Sequence, residues 1–177
     1  MLSSDLLMFC RWSIGLTFAV SAIGKARDLR GFELAVTELR ALPAGLARPA
    51  ALATVLAEAL VVLALAVGRL ALPIGFGLAA GLLLLFSVVL AAALRRRTTV
   101  SCNCFGASER PISGYDLIRN GALLACCAAG LAGYASTDRQ PPAEVIVLLG
   151  LMAGCFALIV TNAEDIVELL RKPYLVE

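Results

Sequence analysis

A chain of 177 residues that is 60% hydrophobic and only 16% charged is far more apolar than a soluble domain. Its net charge of +2, with no basic stripe interleaved with aromatics, excludes a nucleic-acid partner. Histidine is absent, which excludes the usual metal ligand, the usual general base and any Ser-His or Cys-His nucleophile. The composition is that of an integral membrane protein, whose chemistry must fall to cysteine, carboxylates or a bound cofactor.

Leu6 to Gly24 is an apolar run of the length that a bilayer core of roughly 30 Å demands of a helix. No small-residue cleavage site and polar mature domain follow it, so it predicts a retained helix and not a signal peptide. From Leu29 the pattern changes. Leu29, Phe32, Val36 and Leu39 fall at helical spacing between charged residues, which predicts an amphipathic helix at the interface with Asp28 as N-cap and Leu42-Pro43 at its end.

Ala50 to Val67 is a second spanning run that carries one acid, Glu58. Only Gly68-Arg69 separates it from a third, Leu70 to Leu94, so the two form an antiparallel hairpin, with Pro73 in the first turn where proline is tolerated. Arg95-Arg96-Arg97 closes the third run. A polar loop with Ser101-Cys102-Asn103-Cys104-Phe105-Gly106 follows, then the fourth run, Tyr115 to Tyr134, and the fifth, about Val145 to Thr161. Residues 162–172 keep helical spacing as an interfacial tail or a continuation of the fifth helix.

These elements predict an all-α fold, a polytopic bundle of four to five transmembrane helices with an interfacial amphipathic helix after the first. The chain reads as a single membrane domain over 1–177, with a helical core at about 5–135 and a fifth helix plus amphipathic tail over 143–177. With five crossings, the first loop, the cysteine loop and the C-terminus share a side that holds eleven basic residues, from Lys25 through Arg95–Arg97 to Lys172, against Arg69 and Arg139 on the other. The positive-inside rule therefore favours a cytoplasmic cysteine loop, in a multi-pass protein of the bacterial cytoplasmic membrane.

Cys102 and Cys104, one residue apart, are the only two of the six cysteines outside an apolar segment. A disulfide between them closes a small, strained ring, and strain makes a disulfide exchangeable. A thiol becomes a thiolate more readily near a helix N-terminus or a basic side chain. Arg119, one turn into the fourth helix, and Arg95 to Arg97 supply the charge, Phe105 an apolar surface, and Gly106 a sharp turn. A structural disulfide, a pair of ordinary thiols and half of a copper(I) site are the other readings; two cysteines are incomplete for structural zinc, and no metal site is assigned.

Cys10, Cys126, Cys127 and Cys155 fall within spanning runs, where packing as small hydrophobes is the default. A second exchange pair would join Cys126 or Cys127 to Cys155 or Cys10. Glu58, close to mid-membrane, suits either a proton relay for quinone or thiol chemistry or a structural hydrogen bond to a neighbouring helix. Arg11 reads as an anchor. Asp116 and Arg119, at i and i+3, read either as a local ion pair or as thiolate activation by Arg119.

Ser21-Ala-Ile-Gly24-Lys25 at the end of the first helix, the stretch from Phe32 to Leu42-Pro43, Cys102-Asn-Cys104 with Gly106, and Asp116-Leu-Ile-Arg119-Asn120 together resemble the MauE family of methylamine utilisation, within the DoxX-like superfamily. The resemblance covers roughly residues 5 to 135. It implies a redox-associated membrane protein that works with a thioredoxin-like partner on disulfide-containing proteins. The superfamily is also similar to vitamin K epoxide reductase, in which a cysteine pair at the start of a fourth helix exchanges electrons with a quinone. Carried over by position, Cys102 and Cys104 are the exchange pair. The loop after the first helix holds no cysteine, so the resemblance leaves the shuttle step to an outside thioredoxin-like protein, with quinone as the cofactor it suggests.

The expected function is thus a membrane thiol-disulfide oxidoreductase or electron carrier, embedded in the lipid bilayer. The alternative is a non-catalytic scaffold or metal-binding subunit for a partner enzyme.

Overall fold

The computed structural model describes residues 2–39, 43–96, 114–136 and 142–161. They form six α-helices: α1 (Leu2–Arg27), α2 (Leu29–Glu38), α3 (Ala47–Val67), α4 (Leu72–Arg95), α5 (Gly114–Ser136) and α6 (Ala143–Thr161). All but α2 are long and apolar enough to cross a membrane, which gives the polytopic all-α architecture expected. The cysteine loop and the C-terminal tail lie outside the described residues.

Lipid is as apolar as leucine, so small and polar residues, more than bulk apolarity, decide which helix faces meet in a membrane. α1 shows this best. Its buried stripe of Ser4, Leu7, Ile14, Phe18, Ser21 and Lys25 recurs at helical spacing, with Cys10, Ser13 and Thr17 beside it. α1 is therefore the central helix, packed on α3, α5 and α6. α6 buries only Ala153 and Ala157 and sets the Phe156 ring edge-on to Phe9 at 5.7 Å, leaving Leu148, Leu151 and Met152 to face lipid.

The remaining contacts follow from close approach. Gly133 lets α5 reach the backbone of α1, where a Cβ would stand 2.9 Å from the Ser3 carbonyl oxygen. Gly130 receives the end of the Phe76 ring of α4. Between α3 and α4, Gly68 turns the chain with φ of +139°, a backbone conformation other residues rarely adopt.

Two arginines fasten the end of the bundle where α3 stops. The last carbonyls of a helix lack intrahelical partners. Arg11 of α1 supplies two, donating Nε to Leu65 O at 2.6 Å and a terminal nitrogen to Ala66 O at 3.0 Å. Arg69 donates to Tyr134 O at 3.1 Å and stacks on the Tyr134 ring, tying the turn after α3 to α5. At the opposite end, Asp28 caps α2 as expected, its carboxylate accepting from Gly31 N. α2 then folds over α3 on Phe32 and Ala35.

Candidate functional site

α1 and α3 run antiparallel, so the C-terminal half of α1 faces the first half of α3. The buried stripe of α3 is Ala47, Ala51, Glu58, Val61 and Leu65, at spacings of three, four and seven that keep Glu58 on the face toward α1. An ionised carboxylate at this depth costs a few kcal/mol unless it is paired. It is paired with Lys25. The lysine Nζ lies 2.5 Å from Glu58 Oε1 and donates to Ser21 Oγ at 2.6 Å, while Ser21 donates to Glu58 Oε1 at 3.0 Å. Both charged side chains are 1% exposed.

The direction of Lys25 has a local cause. A side chain on an α-helix tilts toward the helix N-terminus, and from the last turn of α1 that direction leads back into the bundle. Two aromatic rings receive the ammonium there, Phe32 of α2 at 5.3 Å and Phe86 of α4 at 5.2 Å. The loop charge that the sequence pattern suggests at Lys25 is in fact a core residue, and Phe32, which follows the amphipathic periodicity of α2, is part of its cage.

Beside the pair lies a cavity of about 20 Å3, lined on its polar side by Thr17, Ser21, Lys25, Glu58, Arg119 and Asn120 and on its apolar side by Phe18, Leu83 and Phe86. Glu58 Oε2 has no hydrogen-bond partner among the described residues. Asn120, buried in α5, donates to Ser87 of α4 at 3.3 Å. Arg119 meets Asp116 at 3.0 Å, the local ion pair that their i and i+3 spacing allows.

Of the residues singled out on sequence, Glu58 and Arg119 line this cavity, and Asp116 pairs with Arg119 beside it. Cys102, Cys104, Phe105 and Gly106 lie outside the described residues. The segment that holds them joins Arg96 at the end of α4 to Gly114 at the start of α5. Lys25 and Ser21 carry the buried pair although only their family pattern marks them in the sequence. The available signal was a lone acid in an apolar run, which requires a cation somewhere.

Toward the other half of the bundle, Cys10 of α1 and Cys126 and Cys127 of α5 are buried together in one core cluster. Cys155 stands apart, exposed on α6. Of the cysteines in the spans, Cys10 thus shares a buried cluster with both Cys126 and Cys127, and Cys155 lies outside it. Among the described residues no three Cys, Asp or Glu side chains are grouped to hold a metal ion.

The chain matches the family model described as Methylamine utilisation protein MauE over residues 3–133. It is 34% identical over 149 residues to the Methylamine utilization protein MauE of Paracoccus denitrificans, a match that covers 83% of this chain and 78% of that protein. No solved structure matches it.

Proposed function

The chain belongs to the MauE family, and on that premise we propose that it is a membrane thiol-disulfide oxidoreductase or electron carrier of methylamine utilisation, with Cys102 and Cys104 as its exchange pair. The observation that carries this reading is the Cys102-Asn103-Cys104 spacing in a polar segment between two membrane helices. Basic residues flank the pair on both sides, Arg95 and Arg96 at the end of α4 and Arg119 in the first turns of α5. Positive potential favours the thiolate, the form that attacks.

In the proposed reaction one thiolate of the pair attacks a disulfide of a thioredoxin-like partner. A mixed disulfide forms and one partner sulfur leaves as a thiolate that takes up a proton. The second cysteine then attacks the mixed disulfide, so that the pair ends oxidised and the partner reduced by two electrons. The reverse sequence reduces the pair. The cavity at Glu58, about 20 Å3, takes a water and not a quinone ring, so no step is routed through a quinone.

Trapping tests the reading. Membranes carrying Cys102→Ser or Cys104→Ser should accumulate a mixed disulfide with a thioredoxin-like protein, resolved by reductant, and wild-type Cys102 and Cys104 should shift between dithiol and disulfide. If neither variant traps a partner and the wild-type pair never changes redox state, the chain is a scaffold and not an exchange protein. A membrane-impermeant thiol reagent on intact cells reports the side: charge asymmetry predicts protection in intact cells and labelling after lysis.

A further inference from the structure

Ionisable side chains within membrane helices pair with one another and also mark proton relays. Here Lys25 and Ser21 both serve Glu58 Oε1, while Oε2 has no partner among the described residues, on a fully buried side chain that lines the cavity. The cavity, about 20 Å3, suits one water, which needs two to four polar neighbours. Thr17, Ser21 and Asn120 line it together with Glu58. We propose that the cavity holds a water against Glu58 Oε2 and that Glu58 is a proton-binding site: the carboxylate takes a proton from this water and returns it, while Lys25 keeps hold of the other oxygen.

The groups that face Glu58 set the electrostatics of this site. From α1 come Lys25 and the neutral Ser21 and Thr17; from α5 come Arg119, engaged with Asp116, and the neutral Asn120; α4 contributes Phe86 and Leu83 to the cavity and no charge. One cation at contact distance makes the ionised form tolerable, and the surrounding apolar wall makes the protonated form tolerable too. A carboxyl that can exist in either form, with a water at its uncommitted oxygen, is what proton transfer requires and what a helix fastener does not.

The role of the site rests on the thiol-exchange reading. In exchange the attacking thiol gives up one proton and the departing thiolate gains one, so no proton is consumed overall. A buried acid that stores one proton and gives it back serves both halves. The existence of the site does not depend on that reading, and the experiment separates the two.

The test is infrared difference spectroscopy of the full chain in lipid nanodiscs, between high and low pH. The expected result is a carboxylic-acid C=O band that grows as pH falls, shifts at once on transfer to D2O, disappears in Glu58→Gln and moves in frequency in Lys25→Met. Glu58→Asp, which keeps the acid, should keep a displaced band and guards against a misfolded glutamine variant. The Cys102→Ser, Cys104→Ser double variant should give the wild-type band, because the signal needs no thiol. A band unchanged in Glu58→Gln, a band that fails to exchange with D2O, or no titrating band in folded wild-type protein each overturns the proposal. Absence of any trapped partner with the band intact would overturn the thiol-exchange reading alone.

Discussion

Lys25 Nζ and Glu58 Oε1 meet at 2.5 Å between α1 and α3, with both side chains 1% exposed, so that neither charge reaches bulk water. Removing one partner strands the other. Lys25→Ala and Glu58→Ala should each destabilise the bundle by about 3–5 kcal/mol, because an uncompensated buried charge costs more than the pair contributes. Lys25→Met combined with Glu58→Leu should recover most of that loss, since two apolar side chains of similar volume fill the same space. Unfolding in mixed micelles, followed by circular dichroism for the wild type, both single variants and the double variant, gives the coupling directly.

Arg11 presents a different balance, since its guanidinium satisfies the Leu65 and Ala66 carbonyls that α3 leaves open. Arg11→Ala exposes those carbonyls to an apolar surrounding and should cost about 1–3 kcal/mol. Arg11→Lys, with a single donor centre in place of a planar fork, should recover only part. The same unfolding measurement distinguishes them, and equal stability of the alanine and lysine variants would show that the charge alone, without the paired geometry, anchors α1 to α3.

The two charged positions also show what the sequence could and could not disclose. Hydropathy marks each span, because a helix in lipid needs an unbroken apolar run whatever its neighbours are. It stops α1 at Gly24, whereas the helix continues to Arg27. Lys25 has the same hydropathy whether it points to water or into the bundle, and only Glu58, Phe32 and Phe86, brought together from three other helices, decide which. The acid was legible alone, since a lone carboxylate in an apolar run demands a partner; the partner was not, being far away in the chain. Asp116 and Arg119 were legible as a pair because i and i+3 lie on one helix face. The shared cluster of Cys10 with Cys126 and Cys127 depends on how α1 and α5 are rotated about their axes, which spacing within either helix leaves undetermined.

The contact between Phe76 and Gly130 fixes how closely α4 and α5 approach. A Cβ at Gly130 would lie 2.6 Å from Phe76 Cζ, inside any real carbon contact, and the ring is itself fully buried in the core. Gly130→Ala should therefore destabilise the bundle by about 1–3 kcal/mol, the usual range for overpacking. Phe76→Leu introduced into Gly130→Ala should restore part of it by removing the ring end that clashes. A double-mutant cycle that shows no coupling would mean that the helices simply separate to accept the methyl group.

The four described cysteines determine how cleanly Cys102 and Cys104 can be followed. Cys10, Cys126 and Cys127 are buried among helices, and Cys155, although exposed, sits mid-way along α6 between Gly154 and Phe156, on a surface that meets lipid and not water. A charged reagent does not enter an apolar region, where a charge costs too much free energy. Native membranes treated with reductant and then with a charged maleimide should therefore label at most two sites per chain, and none once Cys102 and Cys104 are both serine. After solubilisation in SDS the same double variant should gain four labels. A fifth apolar span correctly assigned to lipid leaves Cys155 unreactive in the native state, so rapid labelling of Cys155 by the charged reagent would instead put that face of α6 against water or a polar partner.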